Sequence, residues 1–131
     1  MIYDQIGKGY SLGRTTDPKI AAQIKQHLIG VESLLNIGAG TGSYEFSDLN
    51  VTAVEPSSAM IEQRSLSAAP VYQAQAEALP FADKCFSHSM AILTMHHWRD
   101  RQTAFDEIKR VTREKVTVIT WDPKAPPFWL T

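Results

Sequence analysis

Three glycines at alternate positions, Gly38, Gly40 and Gly42, stand directly behind the apolar run Leu34-Leu35-Asn36-Ile37. Glycine has no Cβ, so such a loop reaches backbone angles other residues avoid and lets a ligand lie against the main chain. At the end of a buried strand it marks the carboxyl edge of an open α/β sheet, where these sheets bind ligands. Glu55 ends the next run, Val51-Thr52-Ala53-Val54-Glu55, and a carboxylate there can accept hydrogen bonds from two ribose hydroxyls. The spacing is G-x-G-x-G; a dinucleotide fingerprint is G-x-G-x-x-G, and Ser43 stands at its last glycine. Only eight residues separate Gly42 from Val51, too few for the full helix on which a pyrophosphate rests. A ribose-bearing ligand without a pyrophosphate suits these residues better. His96 and His97 are the candidates for a general base, and adjacent side chains point different ways, so one of them at most faces a site. No second cluster of Cys and His stands at ligand spacing, so a metal is not expected.

The elements that must hold these residues follow from pattern. Asp17-Pro18 starts a helix, Ile20, Ile24 and Leu28 form its apolar stripe, and Gly30 ends it. Val31 to Ile37 is the first strand, residues 38–42 the glycine loop, and 43–48 a stunted helical turn. Val51 to Glu55 is the second strand; Pro56 stops pairing, and Ser57 or Ser58 caps a helix carrying Met60, Ile61 and Arg64. Val71 to Ala74 gives a third strand and Phe86 to Leu93 a fourth. Asp100 to Arg113 is a helix with Phe105, Ile108 and Val111 on one face, and Lys115 to Trp121 a fifth strand. Strands alternating with helices predict an α/β fold: a Rossmann-like open parallel sheet with helices on both faces. Residues 1–16, punctuated by glycines and aromatics, read as a cover over the site, and the proline-rich, aromatic stretch 122–131 as a tail. In that tail Phe128 and Trp129 read as a plug or a partner contact, while Trp98 could line an acceptor pocket. Nothing is left to pair with the far side of strand five, which predicts a homodimer through the Lys115–Trp121 edge.

At 131 residues the chain makes a single domain, and a net charge of −1 without any lysine–arginine stripe points away from nucleic acid and membrane surfaces. No run is apolar enough to span a bilayer, and a single cysteine, Cys85, makes a reducing cytoplasm the default location.

Five segments in order, LLNIGAGTGSYE, VTAVEPSSAMIEQR, AQAEALPFADKCF, LTMHHW and FDEIKRV…VITWDP, resemble the class I S-adenosylmethionine-dependent methyltransferases of the small-molecule "type 11" kind. The resemblance implies S-adenosylmethionine as cofactor and a small-molecule methyl acceptor. It implies that Gly38, Ala39, Gly40 and Gly42 pass under the methionyl and ribose parts, and that Glu55 holds the ribose diol. Pro56 and Met60 would lie near the adenine, Gln75, Ala76 and Glu77 would read its edge, and Leu93 would border the methionine moiety. Tyr10 and Arg14 would belong to a segment closing over cofactor or substrate. Three departures stand out: Asn36 where the family usually has an acid, Gln75 where it often has Asp, and five strands of the family's seven. Two other readings share the same glycine loop, a cofactor-binding module without acceptor chemistry and a nicotinamide oxidoreductase.

Overall fold

The computed structural model describes residues 18–40, 42, 45–46, 48–65, 68–92, 98–122 and 125–130, and the apolar runs within them become strands. In chain order the elements are α1 (Pro18–His27), β1 (Leu34–Ile37), β2 (Val51–Val54), α2 (Ser58–Glu62) and β3 (Val71–Tyr72). They are followed by β4 (Phe86–Ile92), α3 (Arg101–Val111), β5 (Thr112–Asp122) and β6 (Ala125–Leu130). The six strands form one sheet in the order β3-β2-β1-β4-β5-β6. The first five are parallel to one another, as the alternation of strand and helix requires. The chain leaves β1 toward β2 and β3, then returns to lay β4 on β1's other side. A crevice opens at such a reversal, at the carboxyl ends of the strands.

Successive strand residues face opposite sides, so β1, β2, β4 and β5 each feed two cores. Leu34, Met90 and Ile119 meet Ile24 and Leu28, the buried stripe at α1. Leu35, Ile37, Ala91 and Val118 meet Ala104, Ile108 and Val111 of α3. Burying an isoleucine such as Ile24 or Ile108 contributes about 1.5–3 kcal/mol, so packing holds these helices more than propensity does. The helix ends match their residues. Gly30 leaves α1 at φ +81°, the Ser57 hydroxyl accepts the Met60 N–H at the start of α2, and Asp100 accepts the Thr103 N–H at 3.1 Å before α3. Asp17 lies outside the described residues, as does part of the turn expected at 43–48.

One expectation is corrected. The far side of β5 is not open: β6, drawn from the predicted tail, pairs with it antiparallel, matching Thr120 with Phe128 and Asp122 with Ala125. The step from 120 to 122 is opposed by the step from 128 to 125, so β6 carries one extra residue at its register shift. Pro126 and Pro127 fall inside that shift, where a missing N–H costs no ladder bond. The predicted homodimer through Lys115–Trp121 thereby loses its premise, because the edge it needed is taken.

Arg110 fixes the loop between β3 and β4. Its guanidinium donates to Leu79 O at 3.0 Å, Phe81 O at 2.8 Å, Asp83 Oδ1 at 2.9 Å and Glu107 Oε2 at 2.7 Å. Glu107 also accepts the Leu79 N–H at 2.9 Å. The bond to Arg110, more than that to Leu79, holds the Glu107 carboxyl below its ordinary 4.5 despite desolvation. A carboxyl depressed in this way contributes stability that is whole above its unfolded pKa and lost as pH falls through the folded one. Glu107→Gln should therefore flatten the fall of melting temperature between about pH 5 and pH 3. Parallel slopes for parent and variant across that window would refute the role.

Candidate functional site

Glu55 follows β2 directly and is wholly buried. Its Oε1 accepts the Gly40 N–H at 2.7 Å and its Oε2 the Ser57 N–H at 2.8 Å. One carboxylate thus joins the glycine loop to the cap of α2, through charge-assisted bonds stronger than neutral ones. The loop is further pinned by Ala39 N–H to Val54 O and Gly42 N–H to Ala39 O, each 3.0 Å. Gly40 and Gly42 sit at φ +58° and +98°, a region L side chains rarely adopt. A Cβ at Gly40 would lie 2.9 Å from Met60 Cε, and one at Gly42 would lie 3.1 Å from Glu45 Oε1. The buried Met60 therefore reaches Gly40 with the end of its side chain.

A buried polar network supports the same loop. Arg64 Nη2 donates to Glu45 Oε1 at 2.5 Å and to Ala69 O at 2.9 Å, while Nη1 donates to Gly40 O at 3.1 Å. Glu45 Oε1 also accepts the Ala69 N–H at 3.0 Å, and its Oε2 accepts Asn36 Nδ2 at 2.9 Å. Asn36 lies on β1, almost completely buried. Its amide points one way for a chemical reason: a carboxylate only accepts, so the NH2 group must face Glu45. Sequence reasoning named Asn36 but missed Glu45 and gave Arg64 no role. A hint was there, since Arg64 rides with the apolar Met60 and Ile61 on α2's run, but the sequence alone does not show which acid meets it.

Among the residues assigned to adenine, Ala76 is buried, whereas Pro56 and Gln75 are exposed near the ends of β2 and β3. Pro56 O accepts Gln73 Nε2 at 3.2 Å, which ties these two loops. The Glu77 carboxylate is directed elsewhere, accepting the N–H groups of Arg99 at 2.7 Å and Asp100 at 3.2 Å ahead of α3. Trp98 is half-buried and meets Phe105 edge-on at 5.3 Å, so its ring is part of the α3 packing. Tyr10, Arg14, Leu93, His96 and His97 lie outside the described residues. Among the described residues no cluster of His, Cys, Asp or Glu could hold a metal ion, and no helix is long and apolar enough to cross a membrane.

Residues 35–120 match the family model described as a methyltransferase domain. The chain belongs to that methyltransferase family. A solved Anabaena variabilis protein, assigned as a methyltransferase of an antibiotic biosynthesis pathway, shares 30% identity over 85% of this chain and 48% of its own, with a TM-score of 0.78. A SAM-dependent methyltransferase from Thermotoga maritima shares 23% over 91% of this chain and 59% of its own, with a TM-score of 0.76. One from Aquifex aeolicus shares 19% over 86% of this chain and 74% of its own, with a TM-score of 0.68. The methyltransferase domain thus spans about half the length of the Anabaena relative. Among curated proteins no match is found.

Membership of the methyltransferase family implies S-adenosylmethionine as the cofactor, and the residues of this domain fit it. Gly40 and Gly42 hold left-handed backbone angles, so the loop presents main chain rather than side chains, and it follows β1 at the sheet's reversal. The ends of β3, β2 and β1 lie side by side in the sheet, in the order in which adenine, ribose and methionyl chain are joined in that molecule.

Proposed function

We propose that this domain binds S-adenosylmethionine along the carboxyl edge of β1, β2 and β3 and serves transfer of its methyl group to a small-molecule acceptor. The observation that carries the reading is the glycine loop held to a buried carboxylate, Gly40 N–H to Glu55 at 2.7 Å, at the point where strand order reverses. The cofactor supplies a methyl already activated on a sulfonium, so the chain's own task is to bind and orient. Gly38, Ala39, Gly40 and Gly42 would underlie the ribose and methionyl parts. Glu55 would receive the ribose hydroxyls, since a carboxylate has about four lone-pair directions and can serve loop and sugar together. Ala76 and Gln75 would meet adenine, with Pro56 and Met60 beside it; Leu93 would border the methionyl end, and Tyr10, Arg14 and Trp98 the acceptor side. His96 or His97 would take a proton where the acceptor must lose one. A net charge of −1 and the lack of a basic stripe in the sequence support a small acceptor over nucleic acid, and one cysteine in 131 residues suits a reducing cytoplasm.

Calorimetric titration with S-adenosylhomocysteine, NAD and NADP tests the cofactor directly. Binding of the first with no heat from the other two is expected. Binding of either nicotinamide nucleotide in preference to S-adenosylhomocysteine would overturn the reading.

A further inference from the structure

The Asn36 amide is bound at one end only. Its Nδ2 donates to Glu45, whereas Oδ1 accepts no hydrogen bond among the described residues, although the residue is only 4% exposed. A buried acceptor of this kind is costly unless a donor arrives. Asn36 is the next-to-last residue of β1, one residue ahead of the glycine loop and beside Met90 of β4 at the sheet's reversal. Three of the about four acceptor directions of the Glu45 carboxylate are already taken by Arg64, Ala69 and Asn36, and Arg64 balances its charge, so Asn36 Oδ1 is the freer acceptor.

We propose that Glu45 is a positioning residue that locks the Asn36 amide with its oxygen outward, so that Asn36 Oδ1 receives the ammonium of an adenosyl amino acid while Arg64 neutralises the carboxylate behind it. This rests on the S-adenosylmethionine reading above, and on the strand order that puts the amino-acid end of that molecule over β1. The acid has in effect moved one hydrogen bond back from the ligand. Accepting a bond at Oε2 also draws electron density through the amide toward Oδ1, which strengthens it as an acceptor.

Two ligands separate this role from simple support of the loop. S-Adenosylhomocysteine carries the ammonium; 5′-methylthioadenosine has the same nucleoside and sulfur but a methyl in place of the amino-acid chain. The readout is the ratio of their dissociation constants, measured by calorimetry. In Glu45→Gln the new amide keeps its oxygen on Arg64 and presents NH2 to Asn36. Asn36 must then turn its own oxygen inward and offer NH2 to the ammonium. The preference for S-adenosylhomocysteine should fall about tenfold or more, with 5′-methylthioadenosine little changed. Asn36→Ala should cause the same fall, and Asn36→Ala with Glu45→Gln should cause no more than Asn36→Ala alone.

The exchanged pair Asn36→Asp with Glu45→Gln keeps one carboxylate in the cluster and reverses a single hydrogen bond. It should restore the parent's ratio or exceed it, and it decides the matter even where Glu45→Gln alone does not fold. Equal weakening of both ligands in Glu45→Gln would overturn the proposal, as would effects of Glu45→Gln and Asn36→Ala that multiply, or an exchanged pair with a ratio below the parent's. A parent that binds neither compound would overturn the cofactor reading as well, and that result appears before any variant is made.

Discussion

Arg64→Met is expected to lower the unfolding free energy by about 3–5 kcal/mol, read from urea denaturation with an unchanged m-value. The Arg64 and Glu45 side chains are 4% and 5% exposed and meet at 2.5 Å, so removing the cation strands a carboxylate in the interior. Against a total stability of about 5–15 kcal/mol, that loss comes near to unfolding the domain. Replacing both partners by methionine should recover part of it, because two apolar groups leave no orphan charge. Recovery stays incomplete: the Asn36 amide, the Gly40 carbonyl and the Ala69 N–H and carbonyl all lose partners in the same step. The contrast is Lys25 with Asp48, in direct contact at 2.8 Å but 45% and 61% exposed, where Lys25→Met should be barely measurable. A loss below about 1 kcal/mol in Arg64→Met would mean that water reaches the pair, and the account of a dry network under the loop would fail.

The elements that position this site were legible because each rests on a local rule. The four-residue recurrence of Ile20, Ile24 and Leu28 reads as one helix face, and a serine at 57 or 58 ahead of Met60 and Ile61 reads as a cap. Gly38 to Gly42 behind an apolar strand reads as a ligand loop for the same local reason, and Glu55 lies where the sheet edge needs a carboxylate. What stayed hidden depends on distance along the chain. Glu45 and Arg64 are 19 residues apart, and Arg110 reaches Leu79 from 31 residues away, so no window of sequence pairs them. β6 was hidden by a rule that holds in sheet interiors. Two prolines argue against a strand that must donate on both sides, yet β6 pairs with β5 alone and places them in a bulge. Glu77 was assigned to adenine by its position in the loop, while its carboxylate turns to the N–H groups ahead of α3, where a helix start favours negative charge.

Gly40→Ala should abolish measurable binding of S-adenosylhomocysteine while costing the fold about 2–5 kcal/mol, the sum of a left-handed alanine and a crowded Cβ. The new methyl would lie 2.9 Å from Met60 Cε, and Met60 is too buried to swing clear into solvent. The loop must then rise toward the space the ligand would use, stretching the 2.7 Å bond from Gly40 N–H to Glu55. Glu55→Gln is a poorer test of the same site, since it weakens the loop anchor and the α2 cap at once and its binding loss has two causes. Thermal melts of Gly40→Ala run beside the titration keep those causes apart. A cooperative transition, lower than the parent's but complete, together with lost binding, is the expected pair of results. Retained affinity in a folded Gly40→Ala would mean that the cofactor does not lie on this loop, whatever else the domain binds.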